Sequence, residues 1–81
     1  MTAEEIKETA DPEALCADGF DEAIIGTDID GKVVYNINKM IEILMEEDDE
    51  MTESDAIEYL EFNTLFAYVG EMTPKYIYLQ K

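Results

Sequence analysis

Two short β-branched runs with Asp30-Gly31 between them, followed at once by an apolar stripe at helical spacing, constrain this chain more than any other feature. The first run is Ala23-Ile24-Ile25-Gly26-Thr27 and the second is Lys32-Val33-Val34-Tyr35. Both have the length and side-chain type of strands. Asp-Gly is a two-residue hairpin signal, so residues 23–35 read as one β-hairpin. A lone hairpin is marginal in water and needs something to cover one face. The cover follows directly. Ile37, Met40, Ile41, Leu44 and Met45 repeat at i, i+3, i+4, i+7 and i+8, the stripe of an amphipathic helix, and Asn36 or Asn38 can cap it.

The remaining elements are read from their punctuation. Residues 1–10 are polar and lack clear periodicity, which suits a flexible end or a short helix, with a single domain over 11–81. Asp11-Pro12-Glu13 is a helix start, with Asp11 as N-cap and Pro12 at the first helical position. That helix is expected over Pro12 to about Ala17, with Gly19 as its stop. Thr52-Glu53-Ser54-Asp55 resembles a capping box with aspartate in the reciprocal position. The helix it opens is expected to run through Ala56, Ile57, Leu60 and Leu65 to about Val69, with Gly70 ending it. Its second half, from Phe62, is apolar on nearly all sides, as in a central helix or one covered by a partner. Asn63 within it reads as a buried amide tied to a loop or strand end, with a contact at a binding groove as the functional alternative. Tyr76-Ile77-Tyr78-Leu79 alternates like a final strand. The order α-β-β-α-α-β argues for an α+β domain, with two main helices on one face of a three-stranded antiparallel or mixed sheet.

Charge sets the functional argument. With 21 acids against five lysines, and neither arginine nor histidine, the formal net charge of the 81 residues is −16. At 47% hydrophobic the chain is too apolar for a disordered acidic tail. Its charge exceeds the magnitude of about 2–8 that suits a small domain. Nucleic acid and anionic membrane surfaces bind through lysine and arginine on phosphate, so neither is expected as a partner. No run approaches a membrane span, and Met1 to Ala10 lacks the apolar core of a signal peptide. The expected partner is a basic protein surface.

Chemistry is mostly excluded. Without histidine, no side chain has an unperturbed pKa near neutrality. Ser54 is the sole serine and has no imidazole to activate it. Cys16 stands alone among acids, in surroundings that disfavour a thiolate and offer no disulfide partner. Zinc spacing is absent. Asp28-Ile29-Asp30-Gly31 fails as a calcium loop, because a match anchored on Gly31 places Gly26 and Ile37 at ligand positions. No glycine-rich phosphate loop exists among four glycines. No enzyme, cofactor or metal site is therefore expected.

The acidic surface remains. Glu46, Glu47, Asp48, Asp49, Glu50, Glu53, Asp55, Glu58 and Glu61 fall in one lysine-free stretch. Asp21, Glu22, Asp28 and Asp30 form a candidate second patch around the hairpin. Carboxylates spaced along helices and a turn can imitate a row of phosphates and occupy the lysine and arginine surface of a nucleic-acid-binding protein. The plainer readings are a solvated face that keeps an apolar-rich chain soluble, or salt adaptation, which nine isoleucines and more glutamate than aspartate fit poorly. A different class of function is an assembly module, with Phe62 to Val69 as a homo-oligomer or subunit interface. The tyrosines read as core or rim, with interface anchors among them.

Several blocks are familiar: Asp18-Gly19-Phe20-Asp21-Glu22-Ala23-Ile24-Ile25-Gly26, Ile41-Glu42-Ile43-Leu44-Met45, Met51-Thr52, Asp55-Ala56-Ile57-Glu58-Tyr59, Glu61-Phe62-Asn63, Ala67-Tyr68-Val69-Gly70-Glu71 and Thr73-Pro74. Together, over roughly residues 18–74, they resemble a family of short uncharacterised proteins of bacteriophage and bacterial genomes. The resemblance implies a phage or bacterial origin and a cytoplasmic setting, that of the host for a phage protein. It carries over no functional residues. Small acidic phage proteins that block host nucleic-acid machinery by duplex mimicry are an analogy of charge and size, not of fold.

Overall fold

The structure is a computed structural model that describes residues 2–17, 19–65 and 70–79. The expected α+β order is present: helix α1 (Ala3–Thr9), strands β1 (Ile24–Thr27) and β2 (Val33–Asn36), helices α2 (Ile37–Glu47) and α3 (Glu53–Leu60), and strand β3 (Lys75–Ile77). The sheet order is β1-β2-β3, with β1 antiparallel and β3 parallel to β2. The sheet is therefore mixed.

The first helix lies earlier than Pro12–Ala17. Thr2 and Glu5 form a reciprocal capping box that starts α1, and its Ile6 reaches the core. After Asp11 only one turn forms. Asp11 Oδ1 accepts from Glu13 N–H at 2.8 Å and the Asp11 carbonyl accepts from Ala14 N–H at 2.8 Å. Further donors go to distant partners: Leu15 N–H to the Met72 carbonyl at 3.2 Å and Ala17 N–H to the Tyr35 hydroxyl at 2.8 Å. A helix needs those donors for its own ladder, so the segment stays irregular and straps the sheet.

The hairpin is present, with a longer turn. Asp28 N–H donates to the Lys32 carbonyl at 2.9 Å and Gly31 N–H to the Asp28 carbonyl at 3.0 Å. This leaves a three-residue loop, Ile29-Asp30-Gly31, with Gly31 at φ +85°. A Cβ there would come within 2.9 Å of Asp11 Cβ, so glycine is needed for space as well as for the turn. Pairing shifts from Ile24↔Tyr35 to Gly26↔Val34, a bulge at Ile25-Gly26.

Asn36 caps α2, accepting from Asn38 N–H at 3.0 Å. Ile37, Met40, Ile41 and Leu44 are buried as the stripe requires, but Ile43 joins them and Met45 is exposed. The core therefore reaches α2 from a wider angle than the stripe implies. Tyr35, Met40, Leu60 and Val33 are fully enclosed. Burying each such apolar side chain contributes ~1.5–3 kcal/mol. α2 packs on α3 and against β2, while α1 packs on β1.

The third helix does not run as one α-helix. It ends at Leu60 and widens to a π-helical turn over Glu61–Leu65. Asn63, expected to be buried, is exposed, and its Nδ2 donates to the Tyr59 carbonyl at 2.9 Å. That carbonyl is the acceptor an α-helical ladder would give to the Asn63 backbone. The expected continuation to Val69 lies outside the described residues. The final strand begins one residue earlier than the expected Tyr76–Leu79 and ends two residues earlier, and Leu79, beyond it, accepts from Asn38 Nδ2 at 3.0 Å.

Candidate functional site

The acidic face is built where α2 stops and α3 starts. Asp48 is the C-cap of α2, its N–H donating to the Leu44 carbonyl at 3.1 Å. Its Oδ1 accepts from Glu50 N–H and its carbonyl from Met51 N–H, both at 3.0 Å. Thr52 and Asp55 then cap each other's backbone at 3.2 Å, the expected box. These local bonds hold the turn and aim the acids outward.

All nine residues from Glu46 to Glu61 named above are exposed. The ion pairs among the described residues are Lys7–Asp21 at 2.8 Å, Lys39–Glu42 at 3.4 Å and Lys75–Asp28 at 3.0 Å. None of them touches the nine. Asp48 and Asp55 each commit an oxygen to the backbone, while Glu46, Glu47, Asp49, Glu50, Glu53, Glu58 and Glu61 carry the outward charge.

The second patch divides. Asp21 and Glu22, on the short 3-10 turn Asp21–Ala23, sit across a groove of about 310 Å³ from Glu46 and Glu47, with Ile43 between. Glu22 extends the main face, while the charge of Asp21 is met by Lys7. Asp28 turns inward instead. Its Oδ1 accepts from Asp30 N–H and Lys32 N–H, both at 2.9 Å. Its Oδ2 is shut from solvent with no aligned donor, and its partner is the Lys75 ammonium, held as an ion pair. Desolvation works to raise the Asp28 pKa, but the Lys32 N–H, the Lys75 ammonium and the Asp30 N–H outweigh it and hold the carboxyl below its usual value. Asp28 is thus a clasp between the hairpin loop and β3.

One feature of the face was not apparent from spacing alone. Tyr59 and Phe62 are 45% and 80% exposed, and with Met51 and Asn63 they line an open groove of about 320 Å³ whose other walls are Asp55 and Glu58. Large apolar groups therefore lie inside the acidic surface, where the sequence suggested a helix apolar on nearly all sides. The signal was Phe62 following Glu58 and Glu61 in a charged stretch. Of the other tyrosines, Tyr35 is enclosed and packs against half-buried Tyr76 with ring centres 5.6 Å apart and planes tilted by 33°, and Tyr78 is exposed. Tyr68 lies outside the described residues.

Cys16 is exposed. Among the described residues no group of three acidic or cysteine side chains converges to hold a metal ion, and no helix is long and apolar enough to cross a membrane. No protein-family model, curated protein or solved structure matches the chain.

Proposed function

We propose that the protein is a non-enzymatic binding module whose acidic face docks on a basic, nucleic-acid-binding protein surface, in the manner of a duplex mimic that inhibits its target. In this reading it is of phage type and acts in the cytoplasm of the host. The observation that carries it is the placement of the charge. Glu46, Glu47 and Asp48 stand at the negative end of the α2 dipole, where carboxylates are disfavoured, and among the described residues no lysine pairs with them. Charge that serves solubility alone has no need of that place. A binding face does, because the turn brings acids from two helices, with Glu22 beside them, onto one surface.

The test is capture from a bacterial lysate at low salt, followed by elution with salt and with duplex DNA. Release of one basic nucleic-acid-binding protein by both eluents is expected, since screening weakens such contacts. Retention through high salt, or indifference to DNA, would overturn the reading. A second reading, assembly of copies or subunits through an apolar surface, is favoured by the exposure of Phe62. A dimer insensitive to salt would select it.

A further inference from the structure

We infer that the groove at Tyr59 and Phe62 receives a large apolar side chain carried by a short basic segment of the partner, with lysine or arginine flanking that side chain. The inference rests on the acidic-face reading and specifies the form of the partner.

Asp55, Glu58, Tyr59 and Phe62 fall at i, i+3, i+4 and i+7, which places them along one side of α3 and its π turn. This is not the side that meets the core, which is Ala56 and Leu60. The helix thus has a second stripe, half acid and half aromatic. A singly exposed phenylalanine needs no explanation. Here two aromatic rings and Met51 bound one groove with two carboxylates.

Its volume, about 320 Å³, is at the small end for a ligand pocket. It suits one or two side chains rather than the whole face of a helix. Charge complementarity selects the occupant. A second copy of this chain would set carboxylates against carboxylates, and an acidic or uncharged apolar segment would leave Asp55 and Glu58 desolvated without a counter-charge. A basic segment meets both requirements. Its cations face the carboxylates, an arginine can lie over a ring, and its apolar side chain fills the gap. Charge then governs encounter, and the buried anchor governs residence.

The probes are two labelled peptides of equal charge. One is a lysine–alanine peptide with a central Leu-Trp pair, and the other has Ala-Ala in its place. Affinity for the full chain is read by fluorescence anisotropy at moderate salt. The anchored peptide is expected to bind about tenfold tighter or more, the scale of a single hot-spot side chain. Tyr59→Ser with Phe62→Ser should erase that advantage and leave the charge-only peptide unchanged. Tyr59→Phe with Phe62→Tyr, which keeps both rings, should retain it, and melting curves would show that each variant folds. Equal binding of the two peptides, or an advantage that survives the serine variant, overturns the inference while the acidic-face reading stands. Binding of neither peptide overturns both.

Discussion

Asp28 was expected in an acidic patch around the hairpin, with Asp30-Gly31 as the turn, and neither its inward role nor its partner was legible. Lys75 is remote in sequence, and only the parallel pairing of β3 with β2 brings it near. Because the Asp28 pKa is lowered in the fold, its contribution is complete above the ordinary value of 3.8 and is lost as pH falls through the folded value. Asp28→Asn is therefore expected to melt lower than the parent at neutral pH, with the gap closing in strong acid. A gap unchanged at low pH would show that the charge plays no part. Tyr35 makes a similar long-range tie. Burial pushes its pKa up, against the Ala17 N–H, and the hydroxyl stays protonated while accepting from that donor. Tyr35→Phe leaves the half-buried donor unpaired and should cost about 1 kcal/mol. Urea denaturation with an unchanged m-value is the check. The burial expected of Asn63 failed for a related reason, while a groove contact, its alternative reading, agrees with its place beside Tyr59 and Phe62. Apolar neighbours in sequence imply burial only if the helix stays regular, and this one widens.

At the level of elements, the expectations that the structure bears out rest on local pattern. The hairpin, the Asn36 cap, the α2 stripe and the Thr52–Asp55 box rest on bonds or spacings within a few residues. The capping box of Thr2 and Glu5 is equally local and starts α1, in a segment expected only as a flexible end or a short helix. A helix at Pro12–Ala17 was wrong because its donors belong to Met72 and Tyr35, partners no local pattern reveals. The end of α2 supplies a prediction of its own. Glu47 is its last residue, with no basic residue in that turn. Glu47→Lys should stabilise the fold by about 0.3–1 kcal/mol through the dipole and weaken capture of the partner. Gain of stability with undiminished capture would leave the acid there without a role in binding.

Over the whole molecule, the list of acids came from sequence, but their grouping did not. Glu22 joins Glu46 and Glu47 only because the 3-10 turn packs against α2. Likewise the aromatic groove needs α3 and the turn before it in place. The central claim is that this assembled surface recognises a partner and does more than keep the chain in solution. The most direct measurement compares lysate capture by the parent and by the triple variant Glu47→Lys, Asp49→Lys, Glu58→Lys. All three positions are exposed and none makes an ion pair or cap among the described residues. The account predicts that the variant melts no lower than the parent and loses the DNA-displaceable partner. An equal yield of that partner on the folded variant would contradict it.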